Sequence, residues 1–187
     1  MSDLKELHGR ATIRFGELVA DVTPEQWNAP TPCSDWDVRQ LVRHVAYETL
    51  WVPALMDGLT LEAVGDRFEG DVLGEDPKAA WAPAAAAAIR AVLRGDLSRT
   101  VHVSFGEIPA EEYVFEIMLD LVVHGWDLAR ATGADEGMDP EAVEFCYRRA
   151  EPREEALKRT GLFGPKVVPP PGADLQTKLL AILGRVA

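Results

Sequence analysis

The chain has 187 residues and 47% hydrophobic side chains, enough for a real core and too apolar for disorder. Its formal net charge of -12 repels phosphate backbones and anionic lipid, which argues against nucleic-acid and membrane partners. Cys33 and Cys146 lie far apart and form no CxxC pair, so neither a disulfide framework nor a zinc finger is expected.

The N-terminal residues, "MSDLKELHGRATIRF", have no apolar core of signal-peptide type, and no run of 18 apolar residues follows. A cytoplasmic protein is the expectation. Residues 3–22 place Leu4, Leu7, Ala11, Phe15, Leu18 and Val22 at steps of three and four, which predicts an amphipathic helix with His8 facing solvent. "TPEQWNAPTPC" is a turn-rich loop. Ser34 with Asp37 resembles a capping box, and Val38, Leu41, Val42 and Val45 mark a buried face. A second helix is therefore expected over residues 35–56, bent near Pro53.

Residues 57–75 carry four glycines and no sustained period, as a loop would. "DPKAAWAPAAAAAIRAVLRG" is an alanine-rich third helix that opens near Pro77 and closes before Gly95. "TVHVSFGEI" alternates and is β-prone. The fourth long helix starts near Pro109 and stops at Gly133. "DPEAVEFCYRRAEPREEALKR" is helical with a break near Pro152. "TGLFGPKVVPPPGAD" is a rigid loop, and "LQTKLLAILGR" a short closing helix. The pattern is an all-α, four-helix bundle with a short β-prone segment and a C-terminal helical appendage, read as one domain over residues 1–187.

One stretch needs a chemical explanation. "EIMLDLVVHGWDLARATG" is mostly apolar, yet Glu116, Asp120, His124 and Asp127 recur at steps of four, four and three, which stacks them on one helix face. Carboxylates in a packed core are costly unless a cation offsets them. Asp120 and His124 are one turn apart, a spacing that lets a helix hold a metal, and His44 at the edge of the second helix's apolar face is the candidate third ligand. Two histidines and one carboxylate leave positions open for water or substrate. The blander alternatives are a hydrogen-bonded structural His44 and an intrahelical Asp120–His124 charge pair worth about 0.2–0.5 kcal/mol. Cys33, just before the second helix, reads as a structural thiol, and Trp36, Trp51, Trp81 and Trp126 as core filling. No GxSxG, Walker or GxGxxG motif is present.

"TPCSDWDVRQLVRHVA" and "LVVHGWDLARATG" resemble the two signature segments of the mycothiol-dependent maleylpyruvate isomerase-like proteins, within the wider DinB/YfiT-like metal-binding superfamily. "LFGPKVVPPPGADLQTKLLAILGR" resembles the tail of an actinobacterial branch of that group. The resemblance implies a DinB-like up-down-down-up four-helix bundle. It also implies a divalent metal held by a histidine late in the second helix and an acid-xxx-histidine pair in a later helix. Those positions fall on His44, Asp120 and His124. Zinc is the first expectation for the metal, with nickel, iron or manganese as alternatives. Aspartate stands where the isomerase has glutamate, and Glu48 or Glu116 could compensate for the shorter arm. Asp127 could orient a ligand. No counterpart of the isomerase's separate C-terminal domain is expected beyond the short tail. The implied activity is that of a mycothiol-type transferase or isomerase, monomeric or homodimeric, whose partners are a small-molecule thiol and an electrophile. A non-catalytic metal- or ligand-binding protein and a metal-dependent hydrolase are the alternatives.

Overall fold

The computed structural model describes residues 3–161, 164, 165 and 167–187. Backbone packing separates them into two compact units, one ending at Glu136 and the other running from Gly137 to Ala187.

The larger unit is built on four long helices: α1 (Leu4–Asp21), α2 (Val38–Met56), α4 (Pro77–Arg94) and α5 (Ala110–Thr132). A 3-10 turn (Pro24–Asn28) follows α1, and a short α3 (Leu61–Val64) interrupts the loop before α4. β1 (Thr100–Val103) and β2 (Gly106–Pro109) form an antiparallel hairpin that pairs Val101 with Ile108. The β-prone stretch is thus a two-stranded ladder leading into α5.

Caps fix the helix starts. Asp3 accepts from the Glu6 amide, and Asp76 accepts from the Ala79 amide at the start of α4, with Pro77 in the first turn. The second helix begins at Val38, three residues later than expected, because the capping box is formed by Asp37 and Gln40 rather than by Ser34 and Asp37. Asp37 accepts from the Gln40 amide at 2.8 Å, and the Gln40 side chain accepts from the Asp37 amide at 2.9 Å. α5 ends where Gly133 takes φ 72°, a left-handed conformation suited to glycine.

Both α1 and α2 pack on α4 and α5, so α1 lies diagonally opposite α2 and α4 opposite α5 in the bundle. The contacts also give the directions. Lys5 Nζ donates to the Gly95 carbonyl at 2.7 Å and Lys78 Nζ to the Ala20 carbonyl at 2.6 Å, so α1 and α4 are antiparallel. Arg39 donates to the Gly74 carbonyl, just before α4, while Met56 packs on Gly95 at the far end, so α2 and α4 are parallel. Phe15 and Leu18 reach Gly125, and Gln26 donates to the Thr132 carbonyl at 2.9 Å, so α1 and α5 are parallel. The order is up, down, down, up.

Phe15, Leu41, Val42, Met118, Leu121 and Leu128 form the centre of the core. Trp81 packs on Phe15 with ring centroids 4.8 Å apart, and a Cβ at Gly16 would come within 2.6 Å of its indole nitrogen. Glycine is what lets α4 bring that indole against α1. Trp81 and Trp126 fill the core as expected, whereas Trp36 and Trp51 are half-buried. His8 corrects the expectation of a solvent-facing side chain. It is 1% exposed, because α1 packs against two helices and its buried stripe is broad.

The second unit contains α6 (Pro140–Ala150), a 3-10 turn (Glu151–Arg153), α7 (Glu154–Arg159) and α8 (Leu175–Ile182). The break near Pro152 is the 3-10 turn between α6 and α7. α6 packs on α8 around Val143, Cys146, Leu179, Leu180 and Leu183. The Gln176 side chain accepts from the Met138 amide at 3.0 Å. Of the rigid loop expected before α8, Leu162, Phe163 and Lys166 lie outside the described residues. Neither cysteine forms a disulfide. Among the described residues, no helix is long and apolar enough to cross a membrane.

Candidate metal centre

α2 and α5 run antiparallel and face each other across one seam, which brings His44 to Asp120. His44 Nε2 lies 2.8 Å from Asp120 Oδ2, and His124 Nε2 lies 3.7 Å from Asp120 Oδ1. Asp120 thus presents one oxygen to each imidazole. The i, i+4 spacing on α5 makes this pairing automatic once the helix forms. One ligand-type atom from each of His44, Asp120 and His124 falls within a 4.8 Å cluster.

The two histidines sit in different surroundings. His124 is buried, and its Nδ1–H donates to Asp127 Oδ2 at 3.0 Å. Asp127 is 0% exposed, so this carboxylate is an internal group. Its bond fixes the His124 tautomer and leaves Nε2 as the lone-pair nitrogen facing Asp120. His44 and Asp120 are more open, with side chains 28% and 35% exposed. The cluster therefore has a buried wall and an approachable side.

The electrostatics follow from that burial. Burial pulls the His44 imidazole down, but the hydrogen-bonded Asp120 carboxylate and the charge of Glu48 outweigh it, and the net shift is upward against a small opposing effect of Arg43. Glu48, one turn along α2, is raised by burial and by Asp120, with His44 opposing. It holds a proton more tightly than an ordinary carboxyl group.

The donor set fits a divalent ion. Metal–ligand bonds of about 2.0–2.2 Å put ligand atoms roughly 3.4 Å apart in a tetrahedral site. The 2.8 and 3.7 Å separations bracket that value. Two imidazole nitrogens and one carboxylate oxygen suit ions of borderline softness such as Zn²⁺. A second group of ligand-type atoms, from Cys33, His124 and Asp127, also falls within 4.8 Å.

Comparison with known proteins supplies the family. Residues 8–129 match the model of the mycothiol maleylpyruvate isomerase N-terminal domain. The chain belongs to that family. Two family-level relatives, the uncharacterized proteins Rv0738 and MT0763 from two strains of Mycobacterium tuberculosis, are each 33% identical over 148 residues, covering 73% of this chain and 72% of theirs. Two crystal structures of mycothiol-dependent maleylpyruvate isomerase, one of a histidine-to-alanine mutant, share the fold. They superpose with TM-scores of 0.61 at 18% and 15% identity, over 79% of this chain and 68% of theirs.

The matched span of this mycothiol maleylpyruvate isomerase-type domain contains every residue of the cluster. Sequence spacing led to His44, Asp120 and His124, and the structure brings the three together. Asp127, expected as a residue that could orient a ligand, turns inward beside His124. Glu48 is close enough to His44 and Asp120 for their charges to interact, whereas Glu116 is solvent-exposed. Neither joins the three-residue cluster among the described residues. Two loop residues also reach the cluster. Cys33, read as a plain structural thiol, comes up to His124 and Asp127. Trp36, read as core filling, packs its indole on both imidazoles. Both sit in a loop, where no periodicity reports which way a side chain points.

Proposed function

We propose that His44, Asp120 and His124 hold a divalent metal ion, Zn²⁺ in the first instance, for thiol chemistry in the cytoplasm. In this reading the protein is a transferase or isomerase that uses a low-molecular-weight thiol of the mycothiol type on a small electrophile. One observation carries it: a two-histidine, one-carboxylate cluster, backed by a buried Asp127 and open on one side, in a member of the mycothiol maleylpyruvate isomerase family. Two solved structures with this fold are of an isomerase that depends on mycothiol.

A bound ion of this kind would supply the Lewis acidity that favours the thiolate form of an incoming thiol. The chain's own groups do the rest. Asp127 holds the His124 ring so that Nε2 faces the cluster. Asp120 offers one oxygen towards each histidine. Glu48, one turn from His44, has its pKa raised by burial and by the Asp120 charge, with His44 opposing. Three protein ligands leave room for the thiol.

The test is optical. Protein loaded with Co²⁺ and then given a small thiol should develop a sulfur-to-cobalt charge-transfer band in the near ultraviolet. His124→Ala should abolish the band, and Cys33→Ala should leave it intact. The cysteine control is needed because Cys33 lies beside His124. A band present without added thiol and lost with Cys33 would mean that the protein supplies its own sulfur ligand, and the thiol-transfer reading would fail. Co²⁺ binding without thiol binding would favour a hydrolytic or purely metal-binding role.

A further inference from the structure

The two histidines of the cluster are held in place by different means. His124 keeps a hydrogen-bonded partner on the nitrogen away from the cluster, because Nδ1 is tied to Asp127. His44 has no such partner among the described residues. Among the described residues its only hydrogen bond runs from Nε2 to Asp120, the atom that must turn to a metal. Metal capture gives up that bond and would leave a partly exposed ring on two rotatable bonds with nothing to orient it.

Trp36 lies against that ring. Its indole and the His44 imidazole have centroids 4.6 Å apart and are tilted by 31°. The same indole is 5.6 Å from the His124 ring, and the two imidazoles meet nearly edge-on at 5.3 Å and 82°. These separations lie within the range of favourable ring packing. The Trp36 backbone is tied down on both sides. The Trp36 amide donates to the Cys33 carbonyl at 2.9 Å, and the Thr31 hydroxyl donates to the Trp36 carbonyl at 2.8 Å. The Cys33 amide donates to Thr31 Oγ1 at 3.2 Å, and the Val38 amide to the Ala29 carbonyl at 3.0 Å. A turn tied at both ends therefore delivers a flat ring to two imidazoles.

We propose that Trp36 is a positioning residue of the candidate metal centre, whose indole fixes the His44 ring as the Asp127 carboxylate fixes His124. The inference rests on the metal reading above. A ring already oriented loses little freedom on binding, which converts directly into affinity. Flatness is the property that matters, so an aromatic replacement preserves the function and a branched apolar one does not.

The experiment compares Trp36→Phe with Trp36→Leu in Co²⁺ titrations of the full-length protein. Leu is expected to weaken binding about tenfold, the scale of losing a group that orients a ligand, and Phe to stay within about threefold of wild type. Thermal midpoints of the metal-free proteins show whether either change merely loosens the fold. A Leu variant that binds as tightly as wild type, or a Phe variant as weak as Leu, overturns the inference and leaves the metal reading standing. Wild-type protein that binds no Co²⁺ overturns both. Should the Leu variant not fold, the Zn²⁺ form of the wild type decides by NMR. Nuclear Overhauser contacts between the Trp36 and His44 rings that persist on metal addition support the role, and their loss overturns it.

Discussion

His124 Nδ1 lies 3.0 Å from Asp127 Oδ2, and Asp127 is fully buried one helical turn further along α5. The carboxylate therefore acts on the imidazole from the side opposite Asp120. In the neutral ring it selects the Nδ1–H tautomer, which leaves the lone pair on Nε2. Asp127→Asn keeps the shape but can present an N–H to Nδ1, which favours the wrong tautomer. We expect metal affinity to fall by about 10- to 100-fold while the helical signal of the protein is unchanged. Calorimetric titration of both proteins with Zn²⁺ measures this. Equal affinities would mean that Asp127 serves the fold alone.

Metal and stability should be linked. An ion that binds only the folded bundle stabilises it by about 2.7 kcal/mol at a hundredfold excess over its dissociation constant. Chelation should lower the melting temperature of wild-type protein and leave His44→Ala unmoved. Parallel shifts in the two proteins would remove His44 from the ligand set.

The approach of α4 to α1 depends on Gly16. A Cβ there would stand 2.6 Å from Trp81 Nε1 and 3.1 Å from its Cδ1. Trp81 is 4% exposed and packed on Phe15, so moving the ring disturbs a core contact. Alanine gains about 1 kcal/mol of helix propensity over glycine, but overpacking a core typically costs about 1–3 kcal/mol. Gly16→Ala should therefore be a net destabilisation, read from a urea midpoint at constant slope. A midpoint that rises would show that the α1–α4 contact yields easily.

The long helices were legible because their apolar residues recur at helical steps and their ends carry Asp, Pro or Gly. The Asp120–His124 pair was legible for the same reason, since a helix turns i, i+4 spacing into proximity. His44 could be placed on a helix edge, but its meeting with Asp120 depends on α2 and α5 being antiparallel neighbours, which spacing alone does not contain. The loop between Thr31 and Asp37 was opaque. Its turn is set by the Thr31 hydroxyl and by backbone bonds, and these decide that Trp36 and Cys33 point at the histidines. Ser34 offered a plausible cap, yet Asp37 with Gln40 forms a reciprocal pair and starts the helix later.

His8 supplies a test of pH dependence away from the candidate centre. Among the described residues neither of its buried ring nitrogens has a hydrogen-bond partner, and burial lowers its pKa from 6.5 to about 4. The folded state therefore resists protonation that the unfolded chain accepts. Below pH 6.5 the unfolded state binds the extra proton, so stability falls as pH drops, and the loss levels off near pH 4. A shift of this size corresponds to about 3 kcal/mol across the window. Replacing His8 with Leu removes the titration and also the cost of burying two unpaired polar atoms. His8→Leu should be more stable than wild type at pH 7, by about 1–3 kcal/mol. The gap between the two proteins should widen steadily from pH 6.5 to pH 4, because the carboxylates common to both cancel in the difference. Urea unfolding of the pair at half-unit pH steps measures it. A constant gap would mean that His8 finds a partner or a proton inside the folded bundle.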